Sequence, residues 1–145
     1  GWQIYCINAD MATHDINMHH FSAWWKRATR YGWAVAQGYD MYGQAPEKYK
    51  QKEHRSGWLW GAMIPFAALL IAQPTHGISL LTLAALYALQ IFKVYKLRKQ
   101  HHSAKQALLY ASFCILSKIP QAIGQGKYWW NKWQRTPAKI IEYKH

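Results

Sequence analysis

The sequence predicts a mainly α-helical chain in which amphipathic interfacial helices flank a two-helix transmembrane hairpin, with short β-strands near both ends. Three observations carry that prediction. Between positions 56 and 92 nothing is charged at neutral pH unless His76 takes up a proton, and two apolar runs, 58–72 and 78–92, lie either side of Gln73-Pro74-Thr75-His76-Gly77. The charge outside this stretch is strongly positive: 18 Lys+Arg against 6 Asp+Glu give +12, with no carboxylate anywhere in 54–141. The chain also holds nine Trp and ten Tyr, many beside Lys or Arg, as in Trp24-Trp25-Lys26-Arg27 and Lys127-Tyr128-Trp129-Trp130. Trp and Tyr favour the headgroup layer, where the ring is half-buried and its N–H or O–H stays wet.

Residues 2–8 are rich in β-branched and aromatic types and read as a short strand, with a loop after it over 9–15. The chain starts at Gly1 with a strand and no charged-then-apolar leader, as expected of a segment from within a longer protein. From about 17 to 39 the pattern is helical, with Asp15 or Asn17 as the expected cap. Phe21, Trp24, Trp25, Ala28, Tyr31 and Val35 recur at helical spacing, and Lys26, Arg27 and Arg30 fall on the other side. That pattern suits a helix lying in a membrane interface and equally a helix packed on a soluble domain.

A polar link with Gly43 and Pro46 ends in Lys48, Lys50, Lys52 and Arg55. The hairpin begins there. Each apolar run is about 15 residues, short of the ~20 of a full span. Extension to Arg55 and to Tyr95 lengthens both, because Arg55 and Lys93 can snorkel. Pro and Gly punctuate the turn, and Pro65 is expected to kink the first helix. Basic residues cluster outside both ends of the hairpin and the turn has none, which puts both chain ends on the cytoplasmic side. A shallow re-entrant hairpin and a hairpin buried in a soluble protein fit the same pattern.

Lys96, Arg98, Lys99 and Lys105, with His101-His102, form a basic connector. Residues 104–119 are helical again, but about 12 uncharged residues separate Lys105 from Lys118. That is too few to cross a bilayer, so an interfacial or core helix is expected there. Pro120 should end or bend it, Gly124 and Gly126 should loosen the chain beyond it, and Ile140-Ile141-Glu142-Tyr143-Lys144 reads as a terminal strand. Cys6 and Cys114 have no metal-type spacing and read as buried free thiols. The resulting organisation is 1–16, 17–55, 56–95 and 96–145. Basic stretches interleaved with aromatics also suit nucleic acid, but no recognition motif accompanies them and that partner leaves 56–92 unexplained.

Four segments taken in order carry a resemblance. They are Met11-Ala12-Thr13-His14-Asp15 after the first strand; Phe21-Ser22-Ala23-Trp24-Trp25-Lys26-Arg27-Ala28-Thr29-Arg30-Tyr31-Gly32-Trp33-Ala34-Val35-Ala36-Gln37; Glu53-His54-Arg55-Ser56-Gly57-Trp58-Leu59-Trp60-Gly61 leading to Pro65; and Leu116-Ser117-Lys118-Ile119-Pro120-Gln121-Ala122-Ile123-Gly124-Gln125-Gly126 with the ending Ile141-Glu142-Tyr143-Lys144. Together they resemble the carboxy-terminal portion of bacterial membrane-bound family 2 glycosyltransferases.

The resemblance implies that 1–16 is the tail of a GT-A catalytic domain and that the rest anchors it. The whole enzyme would use a divalent cation, Mg or Mn, a nucleotide-sugar and a lipid-linked or glycan acceptor for cell envelope polysaccharide. It would lie at the bacterial inner membrane. The family's Asp-x-Asp and catalytic acid are absent, so no catalytic residue is assigned and the segment alone should not transfer sugar. The Gln-x-x-Arg-Trp motif of some relatives is absent too, and Arg27-x-x-Arg30-Tyr31-Gly32 is its nearest analogue.

Within that frame His14 is the candidate metal ligand, with loop ordering as its structural alternative. Asp15, Arg27 and Arg30 are candidate contacts to a diphosphate or acceptor; capping by Asp15 and a solvated or lipid-facing basic face for the arginines are the alternatives. Trp24, Trp25, Trp58, Trp60, Trp129 and Trp130 are the candidate membrane-interface residues. A small basic membrane protein that binds anionic lipid or scaffolds a partner is the alternative function.

Overall fold

The structure is a computed structural model that describes residues 20–44, 46 and 48–135. Every regular element among these is helical: α1 (Phe21–Tyr42), α2 (Gln51–Trp58), a π-turn (Leu59–Met63), α3 (Ile64–Leu70), α4 (Ile78–Arg98), α5 (Ala104–Leu116) and α6 (Lys118–Trp133). The two expected strands, 2–8 and 140–144, lie outside the described residues, and no strand occurs among those described.

Helix α1 starts at Phe21, the first residue of its apolar pattern, and not near 17. His20, in extended conformation, precedes it without a side-chain cap, so the first described turn is held by backbone bonds from Ala23 and Trp24 to the His20 carbonyl. Its buried stripe is Ala28, Gly32, Val35 and Ala36. The stripe expected from the large residues is therefore rotated: Phe21 and Tyr31 remain exposed. Small residues win the inner face because the partner backbone comes too close for anything larger.

That partner is α6. Gly32 faces Gln121, Trp33 faces Tyr128 and Asp40 faces Lys132, so the two helices run parallel. A Cβ on Gly32 would collide with the Gln121 carbonyl, and one on Gly124 with the Thr29 carbonyl. Helix α2 lies antiparallel to α6: a Cβ on Gly57 would strike the Gln125 amide, and one on Gly61 the Lys118 carbonyl. Gly57-x-x-x-Gly61 and Ala28-x-x-x-Gly32-x-x-x-Ala36 thus give α6 two small-residue seams, as in close-packed membrane helices. Gln125 is sealed between them at 1% exposure.

Pro120 and the two glycines behave differently from the expectation. The chain turns slightly at Ser117 and continues as α6 through Pro120, Gly124 and Gly126 to Trp133. Pro120 is the third residue of α6, in the first turn, where a missing N–H breaks few intrahelical bonds. Gly124 is a contact position; it does not loosen the helix.

The first apolar run is helical but interrupted. Pro65 has no N–H and cannot continue the α-pattern, and the adjustment is the π-turn just before it, with Ile64 N–H bonded to the Leu59 carbonyl. The Trp60 carbonyl, whose next π-type donor would be Pro65, accepts a hydrogen bond from the Tyr87 hydroxyl of α4. Nearer the turn, Ser79 Oγ donates to the Ala68 carbonyl at 2.8 Å. These two bonds join α3 and its π-turn to α4 as a hairpin, turning at Gly77 with φ +84°. At the far end of α4 the Arg98 guanidinium covers the Tyr110 ring at 4.4 Å and donates to its hydroxyl at 3.0 Å, fastening α4 to α5.

Candidate membrane interface

Of the 21 residues of α4, only Ser79 is buried. Leu81, Leu89 and Phe92 are 73%, 57% and 60% exposed, and α3 likewise presents Phe66, Leu69 and Leu70 outward. At 1.5 Å per residue the 21 residues of α4 reach about 31 Å, the thickness of a bilayer's hydrocarbon core. Among the described residues two helical stretches are long and apolar enough to cross a membrane, Ile78–Arg98 and Ala104–Trp133. The second corrects the expectation of an isolated short helix at 104–119, because α5 runs on into α6. Its apolar half is α5; α6 carries Lys118, Lys127 and Lys132.

The aromatic residues divide into two groups. One forms a chain of rings through the α1–α2–α6 cluster. Trp33 meets Tyr128 edge-on at 5.4 Å, Tyr128 meets Trp129 at 5.4 Å, and Trp129 meets His54 at 6.2 Å. His54 stacks on Tyr39 at 4.2 Å and 8°. Asp40 closes this end of the cluster, accepting from the Tyr128 hydroxyl at 2.7 Å and from Lys132 Nζ at 2.5 Å. The Lys132 and Tyr128 hydrogen bonds hold its carboxyl below the usual carboxylate range. Burial holds the His54 imidazole below its ordinary value, so it is neutral at physiological pH.

The other group lies outside that chain of rings. Trp130 and Trp133 are 56% and 75% exposed and pack on one another. Trp24, half-buried, meets Phe113 of α5 edge-on at 5.0 Å, with Phe21 and Trp25 around it. Trp60 meets Tyr87 across the hairpin. The six Trp expected at an interface therefore do different things. Trp129 is a packing residue in the ring chain, Trp24 fastens α1 to α5, and Trp58 lines an open groove between α1, α2 and the π-turn.

Arg27 and Arg30 are both exposed on α1. Arg30 lines a small groove with Thr29, Trp33, Gly124 and Lys127 between α1 and α6; Arg27 is not part of it. His14 and Asp15 lie outside the described residues. Among the described residues no three His, Cys, Asp or Glu side chains gather in a way that holds a metal ion. The two described carboxylates are both paired, Asp40 with Lys132 and Glu53 with Lys50 at 3.2 Å. The basic connector at 96–105 faces no carboxylate among them.

Sequence reasoning missed the seams at Gly32, Gly57, Gly61 and Gly124, and with them Gln125 and His54. The signal was present in the four-residue spacing of small residues at 28, 32 and 36 and at 57 and 61. No protein-family model matches the chain, and neither a curated protein nor a solved structure is significantly similar to it.

Proposed function

We propose that this chain anchors a family 2 glycosyltransferase at the bacterial inner membrane, with α3 and α4 as the membrane hairpin and both chain ends cytoplasmic. The observation that carries the anchoring is α4, a 21-residue apolar helix that buries only Ser79 against the rest of the protein. Moving each exposed Leu or Phe from water into hydrocarbon gains about 1.5–3 kcal/mol when burial is complete. The orientation rests on charge: Lys93, Lys96, Arg98 and Lys99 at one end of α4, none in the turn at the other.

The packing of α6 favours two crossings over three. Helix α6 lies on α2, which precedes the hairpin, so both share one side of the membrane. A crossing by α5 would put that cluster opposite the basic connector. Helix α5 therefore lies along the interface against α4, with Trp24 beside it.

The glycosyltransferase part of the reading rests on the resemblance carried by the segments at 11–15, 21–37, 53–65 and 116–126 with 141–144. The α1–α2–α6 cluster would then sit beneath a GT-A domain, next to a lipid-linked or glycan acceptor, and the nucleotide-sugar and its divalent cation would be held by residues outside this cluster. Alkaline carbonate extraction tests the anchoring: the chain should stay with the membrane, and release into the soluble fraction contradicts it. Sugar transfer from a nucleotide-sugar, measured on membranes carrying the intact gene product, tests the enzyme. Retention without transfer would leave the anchor and favour the small basic membrane protein.

A further inference from the structure

Arg55 is the last charged residue before the uncharged stretch 56–92. One side of the helix changes character around it. Gln51, His54 and Arg55 are succeeded by Trp58, Leu59 and Met63, and with Tyr39 of α1 they line an open groove of about 660 Å³. The groove is polar at its α2 end and apolar at its π-turn end.

The polar end is preformed. The His54 ring is fixed between Tyr39 and Trp129, and its Nδ1 is buried without a hydrogen-bond partner. Burial keeps the ring neutral, so it does not repel the guanidinium beside it. Arg55 is exposed, and the described carboxylates are taken by Lys50 and Lys132. A guanidinium grips a phosphate bidentately, which an ammonium does not.

We propose that this groove binds a single membrane lipid with an anionic phosphate headgroup. The phosphate is held at Arg55 with Gln51 and His54 beside it. Tyr39 and Trp58 flank the glycerol or ester region, and the first methylenes run along Leu59 and Met63. The proposal rests on the membrane reading of the hairpin, since only there does the apolar end of the groove meet hydrocarbon. An anion held by the general positive field of the protein would show no dependence on Arg55 in particular.

The test places the full chain in phosphatidylcholine nanodiscs containing phosphatidic acid with a photo-crosslinker near its headgroup, and maps the crosslinks by mass spectrometry. Crosslinks should concentrate in the peptide 51–63. Arg55→Gln should reduce them about tenfold, the loss of one charge-assisted phosphate contact. Arg55→Lys should fall between the two, Lys99→Gln in the connector should leave them unchanged, and inorganic phosphate should not compete.

Crosslinks spread equally along 96–105, or indifferent to Arg55→Gln, would overturn the site, as would an equal loss in Lys99→Gln. Competition by inorganic phosphate would assign the site to a soluble phosphate and overturn the lipid. Circular dichroism of each variant separates loss of binding from loss of helix. A chain that enters the discs but shows no dependence on Arg55 refutes this site alone, whereas one that does not enter them refutes the anchoring as well.

Discussion

The α1–α2–α6 cluster and the α3–α4 hairpin are both helical and both rich in apolar residues, yet they use those residues in opposite ways. In the cluster the inner face is small, with Ala28, Gly32, Ala36, Gly57, Ala122 and Gly124 letting backbones meet, and the polar atoms of Asp40, Tyr128 and Lys132 satisfied across helices. In the hairpin the contact is thin, the hydrogen bonds from Ser79 and Tyr87 and the Trp60–Tyr87 ring contact, and Leu81, Leu89 and Phe92 point outward. A protein stabilised in water hides its large side chains and exposes its polar ones. In the hairpin α4 does the reverse, as suits a helix long and apolar enough to cross a membrane.

The largest expected effect breaks the hairpin side of that contrast. Leu89→Arg, near the middle of α4, should weaken membrane insertion by about 2.5–3.5 kcal/mol, the cost of Arg at a helix centre in lipid. A glycosylation-mapping assay of α4 insertion reads it. Were the exposed face in water, the same substitution would change stability by no more than about 0.5 kcal/mol.

A change in the seam should break the cluster instead. Gly124→Ala places a methyl against the Thr29 carbonyl, and relief requires α1 and α6 to separate. A loss of about 1–3 kcal/mol is expected from such overpacking, read as a lower unfolding midpoint by near-ultraviolet circular dichroism. Insertion of α4 should be untouched, because α4 packs on α3 and α5 and not on α1, α2 or α6.

Smaller effects sharpen the polar end of the cluster. Asp40→Asn should cost about 1 kcal/mol, the net worth of a hydrogen bond, in the same unfolding measurement. Since the folded carboxyl of Asp40 titrates below its ordinary value of 3.8, its contribution is present above that pH and is lost as pH falls through the lower folded value. His54 adds a second, milder acid limb. Its folded pKa lies below 6.5, so the unfolded chain takes up the proton first and stability declines as pH drops from 6.5 toward the folded value. His54→Phe keeps an aromatic ring on Tyr39 and should flatten that limb.

The sequence made the hairpin legible because charge is a local signal. A stretch without Asp, Glu, Lys or Arg is visible one residue at a time, and Pro74 and Gly77 mark its turn. The seams were hidden because a glycine's meaning depends on what approaches it. Gly124 reads as a helix weakener until Thr29 is known to lie against it, and Pro120 reads as a stop until its place in the first turn of α6 is fixed. Likewise the apolar pattern of α1 counted Phe21 and Tyr31 by size, whereas close approach of α6 adds Gly32 and Ala36 to the expected Ala28 and Val35. Pro65 signalled a disturbance in the first run, but the π-turn and its hydrogen bond from Tyr87 depend on a residue 27 positions beyond Trp60.

The position of α4 relative to lipid is the property on which membrane anchoring turns most directly. A spin label at Ala88→Cys, with Cys6 and Cys114 replaced by Ser and the full chain in liposomes, reports which relaxant reaches the middle of the helix. Collisions with oxygen should far exceed those with a water-soluble nickel chelate, as for a site deep in hydrocarbon. Free access of the chelate and ordinary aqueous mobility at Ala88 would contradict a hairpin buried in the bilayer.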